Sequence, residues 1–175
     1  NNKRKLKNKL ILHKGDIRNK NFIENIFSNL KKKGIQFSAV IHLAGLKSVS
    51  QSILHPLEYW DVNVNGTINL LKVMSKYNCK TIIFSSSAMV YGFNSNVLLD
   101  ESLPLKPINP YGETKASVEK ILNNLFISEA KDWKICNLRY FNPIGAHPSG
   151  LIGEQFQIKP NNLFPFINLV ASGEE

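Results

Sequence analysis

The sequence predicts an α/β fold in which helices cover both faces of a parallel β-sheet. Short apolar segments alternate with segments of helical periodicity along most of the 175 residues. This alternation is typical of parallel sheets, because each crossover helix packs on a face of the sheet. A hydrophobic content of 43% is sufficient for one globular core. The sequence contains neither a long apolar span nor a signal-peptide pattern, so we expect a soluble, cytoplasmic protein.

Four apolar segments are predicted to be strands, at residues 9–13, 38–45, 80–87 and 133–141. Helical periodicity predicts four helices, at residues 22–30, 55–78, 111–126 and 161–171. Cys79 and Cys136 lie at or inside the predicted strands. We therefore expect both thiols to be buried and reduced, as is usual in the cytosol.

The net charge of +9 raises the possibility of a nucleic-acid partner. Five of the basic residues are concentrated at the start of the chain, so the remaining residues carry only +4; they are Lys3, Arg4, Lys5, Lys7 and Lys9. No basic stripe interleaved with aromatic residues is present in the sequence. We expect neither a nucleic-acid partner nor a metal site.

Polar residues follow each predicted strand. They are Gly15-Asp16, Ala44 to Lys47, Ser85 to Ser87, and Tyr140 to Asn142. In open parallel sheets, ligands bind outside the carboxyl ends of the strands. This regularity favours an α/β enzyme that binds a nucleotide.

The segment NPYGETK, residues 109–115, places Tyr111 and Lys115 at positions i and i+4 of a predicted helix. Such residues lie on one face, and an ammonium beside a phenol lowers the pKa of the phenol. Ser87 ends the third predicted strand, 24 residues before Tyr111, so the three side chains can converge at the edge of the sheet. Together they could take a proton from a substrate hydroxyl while hydride leaves for a nicotinamide. The alternative for each residue taken alone is a surface Tyr–Lys pair and a turn-forming serine.

The segments SSSAMVYG, NPYGETK and RYFNPIGAHPSGLIGE resemble the extended short-chain dehydrogenase/reductase family. HLAGLKSVSQSI and FNPIGAHPSG resemble, within that family, the UDP-glucose 4-epimerases. The resemblance extends from about residue 10 to residue 173 and implies a Rossmann-like, doubly wound sheet. It also implies an isomerase of galactose metabolism that uses NAD. Such an enzyme interconverts UDP-galactose and UDP-glucose by hydride transfer at C4 through a 4-keto intermediate. A homodimer formed through helices 56–77 and 111–126 is implied as well.

The same resemblance implies a set of site residues. NAD would contact Asp16 and Ile17 at its adenine, and Leu43, Ala44, Gly45, Leu46 and Lys47 along the dinucleotide. Asn63, Ser85, Lys115, Tyr140 and Phe141 would complete the cofactor site. Ser87, Tyr111 and Lys115 would be the catalytic residues. The substrate would be bound by Ser87, Tyr111, Asn142 and Asn162.

Three departures from the family pattern are visible. Met89 occupies a position in the sugar pocket where relatives commonly carry a small hydroxyl residue, and Leu43 replaces a frequent phenylalanine. No Gly-x-x-Gly-x-x-Gly follows any predicted strand, although that loop binds the pyrophosphate in the family.

The absence of that loop implies that the segment lacks the first two strands of the family's sheet. Residues 1–141 are then a partial NAD-binding domain, and residues 142–175 begin the substrate-binding region. In a sheet of order 3-2-1-4-5-6 the missing strands leave a gap in the middle. We therefore expect the segment alone to fold poorly and not to retain NAD.

Two alternatives remain from the sequence. The protein could be another nucleotide-sugar enzyme of the family, acting on a UDP-uronate or UDP-N-acetylhexosamine, or a dehydratase. A dehydratase typically carries an acidic pair after the serine, where Ala88 and Met89 stand here. It could also be a non-catalytic NAD-binding protein, although such a protein is expected to have lost part of the triad.

Overall fold

The computed structural model describes residues 10–93, 98–129, 132–145, 147–151 and 163–173. The chain divides into two compact units, residues 1–140 and 141–175. The described part of the first unit contains three parallel strands: β1 (Val40–His42), β2 (Thr81–Ser87) and β3 (Lys134–Tyr140). They are hydrogen-bonded in the order β1-β2-β3. The predicted α/β class with a parallel sheet is confirmed.

Helices connect and flank these strands. The α-helices are α1 (Lys20–Lys32), α2 (Val49–Leu54), α3 (Pro56–Tyr59), α4 (Gly66–Lys76), α5 (Pro110–Ser128) and α6 (Leu163–Ser172). A π-helical segment (Trp60–Asn65) joins α3 to α4, and a 3₁₀ turn (Ala88–Tyr91) follows β2. The single helix predicted at 55–78 is therefore three consecutive helical pieces, preceded by a short helix that the periodicity did not indicate.

The core lies on one face of the sheet. Ile82 and Phe84 of β2 are almost fully buried, and they pack in one cluster with apolar side chains of α1, α4 and α5. Side chains alternate between the faces of a strand, so the opposite face carries Ile41 and Leu138, which are 64% and 36% exposed. The prediction that both faces are covered is wrong for the described part of the first unit. In this unit α1, α4 and α5 contribute to the core cluster, and all three pack on the face of the sheet that carries Ile82.

The open face of the sheet also explains why one cysteine is buried and the other is exposed. Cys79 is buried in the core cluster, whereas Cys136 points away from it and is exposed. The prediction of two buried thiols is therefore wrong for Cys136. Its position in an apolar strand does not bury it, because no helix of the described first unit covers that side of β3. Both cysteines are free thiols.

The first predicted strand is also wrong. Residues 10–13 have no regular structure, and Leu10 and Leu12 are 93% and 88% exposed. A strand forms only beside a partner, and in the described residues β1 pairs with β2 alone. Gly15 and Asp16 therefore lie in the loop before α1 and do not follow a strand.

The described part of the second unit is loop and α6, a helix whose apolar side chains are all partly or largely exposed. The predicted helix at 161–171 is confirmed from Leu163 onward, since residues 161 and 162 lie outside the described part. None of the described helices is long and apolar enough to cross a membrane. Within the same residues, no cluster of three His, Cys, Asp or Glu side chains could hold a metal ion.

Candidate active site

The NPYGETK segment begins α5. Oδ1 of Asn109 accepts a hydrogen bond of 2.8 Å from the backbone N–H of Gly112, which caps the helix, and Pro110 occupies the first turn. This start places Tyr111 in the first turn and Lys115 one turn later. The two side chains are only 8% and 5% exposed. Their predicted position on one helical face is confirmed, and the face points into the protein.

Lys115 extends from α5 to the sheet. Its Nζ donates a hydrogen bond of 2.8 Å to the backbone carbonyl of Ser85 and lies 5.8 Å from the centre of the Tyr111 ring. Burial lowers the pKa of this ammonium to about 8. An ammonium has three N–H donors, and within the described residues Ser85 is its one hydrogen-bond acceptor. Lys115 therefore has two donors available to a ligand at this edge of the sheet.

The 3₁₀ turn that directly follows Ser87 packs against α5. Oγ of Ser87, which is 8% exposed, accepts a hydrogen bond of 3.2 Å from the N–H of Met89. The turn lies directly on the helix, because a Cβ atom on Gly112 would be 2.6 Å from the carbonyl oxygen of Met89. The turn that follows Ser87 and the helical turn that carries Tyr111 are thus in contact.

Asn63 joins the loop after β1 to the start of α5. It is 3% exposed, and its amide makes hydrogen bonds of 2.8 Å and 3.1 Å to the backbone N–H and carbonyl of Leu46. It also donates 3.1 Å to Oγ1 of Thr114, which in turn donates 2.7 Å to the carbonyl of Tyr111. Asn63 lies in the π-helical segment, a type of irregularity that is frequent at functional sites. The sequence did not reveal Thr114; the available signal was a hydroxyl residue beside Lys115 in the motif.

His42, at the end of β1, is a second residue that the sequence did not reveal. Its Nε2 lies 2.8 Å from Oγ1 of Thr67, and that hydroxyl donates a bond of 2.5 Å to the carbonyl of Asn63. Because the threonine proton is used in this way, Nε2 of His42 carries a hydrogen and donates. Burial, with a smaller effect of the Lys115 charge, lowers the pKa of His42 to about 4. The imidazole is therefore neutral at physiological pH.

The loop predicted to line a dinucleotide passes close to this site. A Cβ atom on Gly45 would be 3.0 Å from Oδ1 of Asn63 and 3.6 Å from Nζ of Lys115. A side chain here would be tight against the Asn63 amide oxygen and in contact with Lys115, so the glycine lets the backbone approach Asn63 closely. The other loop residues are mostly exposed: Leu43, Ala44 and Lys47.

The loop before α1 contains the residues predicted to contact adenine. Asp16 accepts hydrogen bonds from the side chain and the backbone N–H of Arg18, which lower its pKa to about 2. Arg18 also contacts Asp61 of the π-helical segment at 3.1 Å. Ile17 packs against Gly66, where a Cβ would be 2.6 Å from the isoleucine Cγ2. The loop is therefore fixed to the same helical region that carries Asn63.

The remaining predicted residues lie further along the chain. Tyr140 ends β3 and is 43% exposed. Phe141 and Asn142 are exposed and belong to the second unit. Asn162 lies outside the described residues.

Comparison with known proteins places this chain among nucleotide-sugar enzymes. A model of the family described as GDP-mannose 4,6 dehydratase matches residues 1–175. The chain is 50% identical over 164 residues to UDP-glucose 4-epimerase 2 of Oryza sativa subsp. japonica, which is 94% of this chain and 39% of that protein. It is 51% identical over 168 residues to bifunctional UDP-glucose 4-epimerase and UDP-xylose 4-epimerase 3 of Arabidopsis thaliana, covering 96% and 46%. The chain thus spans less than half the length of these relatives.

Solved structures resemble this chain in both sequence and fold. The UDP-glucose 4-epimerase from Bifidobacterium longum, in complex with NAD+ and UDP, matches 93% of this chain and 47% of its own, with a TM-score of 0.83 and 44% identity. The enzyme from Stenotrophomonas maltophila, with bound NAD and formylated UDP-arabinopyranose, matches 94% and 47%, with a TM-score of 0.84 and 39% identity.

Proposed function

Since the chain belongs to the family described as GDP-mannose 4,6 dehydratase, we propose that its full-length protein is an NAD-dependent UDP-sugar 4-epimerase. Its proposed substrates are UDP-galactose and UDP-glucose, and its proposed role is in galactose metabolism. The observation that carries this proposal is the buried Lys115, which lies between the Ser85 carbonyl and the Tyr111 ring beside the turn of Ser87. The names of the 4-epimerase relatives support the same activity.

The residues of the first unit fit a dinucleotide. Lys115 has two N–H donors for a ribose, and Gly45 allows a ligand to approach Asn63 and Lys115 closely. Asp16 and Ile17 would hold the adenine, since their loop is fixed to the helical region of Asn63. The chemistry that NAD supplies when bound is the reversible acceptance of hydride from a sugar carbon.

The side chains of the site would move the proton that accompanies hydride transfer. Tyr111 takes the proton from the C4 hydroxyl of the sugar, and Ser87 donates a hydrogen bond to the same oxygen. The ammonium of Lys115 would stabilise the Tyr111 phenolate that accepts this proton. The 4-keto sugar then rotates in the site and presents the opposite face of C4. Hydride returns to that face, and Tyr111 gives the proton back. One hydride and one proton leave and return, so the reaction is redox-neutral.

The same geometry argues against the elimination that the family description names. Ala88 and Met89, which directly follow Ser87, carry no group that can add or remove a proton. Glu119, further along α5, is buried, and its carboxylate is already bound by Ser86 and Arg139. Epimerisation at C4 requires only the Tyr111 proton, so it is the reaction that these residues can support.

The full-length protein is also proposed to be a homodimer. The π-helical segment and α5 pack side by side, and Leu57 and Trp60 next to this contact are 84% and 37% exposed. Apolar side chains exposed on such a face are favourable when a second copy covers them. Light scattering on the full-length protein tests this proposal, with Trp60→Glu expected to yield monomers.

The experiment that tests the function uses a full-length protein containing this segment. It is incubated without added NAD with UDP-galactose, UDP-xylose or GDP-mannose in separate reactions, and the products are identified by NMR. Rapid formation of UDP-glucose from UDP-galactose is expected. Water elimination from GDP-mannose, or no reaction of UDP-galactose with a folded, NAD-loaded protein, would contradict the proposal. Conversion of UDP-xylose alone would move it to a pentose substrate.

A further inference from the structure

The helical face of Tyr111 and Lys115 continues to Glu119, one turn further along α5. Glu119 is 5% exposed, and its carboxylate is bound on both oxygens. Oγ of Ser86 donates to Oε1 at 2.5 Å, while Nε and Nη2 of Arg139 donate to Oε1 and Oε2 at 3.1 Å and 2.8 Å. Burying a carboxylate is costly unless it is paired and hydrogen-bonded in this way. Glu119 is therefore a fixed junction between the helix and the sheet.

Arg139 connects this junction to the turn after Ser87. It lies on β3 directly beside Ser86 in the sheet register. Its Nη1 donates 2.8 Å to the hydroxyl of Tyr91, and its guanidinium lies 5.0 Å from the centre of the Tyr91 ring. One guanidinium thus links β3, α5 and the end of the 3₁₀ turn. Ser86, Tyr91, Glu119 and Arg139 together are called the Glu119 network.

The network holds the chain on both sides of Ser87. Ser86 immediately precedes Ser87 and is bonded to Glu119. Tyr91 ends the turn that begins after Ser87 and is bonded to Arg139. None of the hydrogen bonds of the network goes to Ser87, Tyr111 or Lys115. Its four members act on the site only through the backbone that they fix.

We propose that Glu119 and Arg139 are positioning residues that set the distance between Ser87 and Tyr111 in the epimerisation. This inference rests on the proposed function of the same site. A buried ion pair often contributes little to stability compared with apolar residues of similar size. Catalysis is more sensitive, because a displacement of about 1 Å can cost roughly 100-fold in rate. The main effect of the network is therefore expected in turnover.

The test compares variants of a full-length, NAD-loaded protein containing this segment. The variants are Arg139→Lys, Arg139→Met, the apolar double variant Glu119→Leu/Arg139→Met, and the matched control Glu113→Gln, an exposed acid of the same helix. We expect the double variant to retain NAD and an unchanged thermal midpoint. Its KM for UDP-galactose should stay within about threefold of the wild type. Its kcat is expected to fall about 10- to 100-fold. Arg139→Lys should recover part of the kcat, and Glu113→Gln should leave it unchanged. A folded double variant with kcat within threefold of the wild type would overturn the proposal.

Two milder variants decide the question if the double variant does not fold. Ser86→Ala and Tyr91→Phe each remove one hydroxyl of the network and leave the Glu119–Arg139 pair in place. Each variant is expected to lower kcat at constant KM. An unchanged kcat in either variant would overturn the proposal.

Amide hydrogen exchange separates this inference from the proposed function. If the wild type does not convert UDP-sugars, the proposed function has failed, and exchange in residues 86–91 still tests the network. Faster exchange in these residues is expected in folded Arg139→Met than in the wild type. Equal exchange in the two proteins would overturn the positioning role.

Discussion

Nζ of Lys115 donates a hydrogen bond of 2.8 Å to the backbone carbonyl of Ser85. This bond joins α5 to β2 two residues before Ser87, and so ties the helix of Tyr111 to the strand end that carries the serine. The ammonium that makes it is 5% exposed. Burial makes this charge costly to the fold, which the proposed binding of NAD would explain.

Replacing Lys115 by Met is expected to abolish NAD retention and to lower epimerisation by more than about 100-fold. The same change should stabilise the NAD-free fold at pH 7. Lowering the pKa from 10.5 to about 8 corresponds to roughly 3 kcal/mol of cost for the buried charge, which the variant avoids. The variant also loses the bond to Ser85, which reduces this gain by about 1–2 kcal/mol.

The stabilisation by Lys115→Met should depend on pH. Below pH 8 the folded ammonium is charged and the full cost is present. From pH 8 to 10.5 the unfolded chain holds a proton that the folded one lacks, so wild-type stability rises with pH. The net advantage of the variant, about 1–2 kcal/mol at pH 7, should therefore vanish near pH 9 and reverse above it. Urea unfolding of the NAD-free proteins measures this, and a variant less stable than the wild type at pH 7 would contradict it.

Tyr111→Phe is expected to lower kcat by about 100- to 10,000-fold, because only the phenolic proton acceptor is removed. NAD should remain bound, since Lys115 and Asn63 are intact. The measurement is the rate of UDP-glucose formation by the folded, NAD-loaded variant. Tyr77→Phe, at the end of α4, is the control and should retain its activity. A Tyr111→Phe variant with a rate near that of the wild type would remove Tyr111 from the mechanism.

His42→Gln is expected to make the protein less sensitive to acid. The folded pKa of His42 is about 4 against 6.5 unfolded, so the unfolded chain takes up the proton first as the pH falls. Stability is complete above pH 6.5 and is lost as the pH falls from 6.5 towards 4. From pH 7 to pH 5 this group costs the wild type about 2 kcal/mol. Gln keeps a donor for Thr67 but does not titrate.

The measurement for His42 is urea unfolding of the wild type and the variant at pH 7, 6 and 5. The exposed His55→Gln serves as the matched control. Equal losses of stability in the wild type and His42→Gln would show that the buried imidazole is not the group responsible.

Gly112→Ala is expected to destabilise the protein although it lies in a helix. Helix propensity alone favours Ala over Gly by about 1 kcal/mol. Here the new Cβ would be 2.6 Å from the carbonyl oxygen of Met89 and 3.1 Å from Cβ of Pro107. We expect a net loss of about 1–3 kcal/mol and reduced turnover, because the turn after Ser87 must move. Urea unfolding tests the sign, with the exposed Asn124→Ala as a control that should not destabilise.

The sequence predicted the local features of the site well. Asn109 and Pro110 mark the start of α5, and helical spacing places Tyr111 and Lys115 on one face. Both depend on residues close in sequence. The π-helical segment and the bonds of Asn63 to Leu46 and Thr114 join positions 17 and 51 residues apart, so no local pattern reveals them.

The errors in the predicted sheet have the same origin. An apolar run predicts burial, but a strand at residues 9–13 also requires a neighbouring strand, and the described residues provide none. Cys136 shows the same limit, since a buried position on β3 requires a helix on that face. Local sequence specifies the strand and not what covers it.

The most direct test of the central claim is the fate of the hydrogen at C4. A full-length protein containing this segment is incubated with UDP-galactose deuterated at C4, in ordinary water and without added NAD. The product should be UDP-glucose that retains deuterium at C4, because the hydride leaves and returns within the site while Tyr111 handles only the hydroxyl proton. Loss of the deuterium to water, or unchanged substrate with a folded, NAD-loaded protein, would contradict the account.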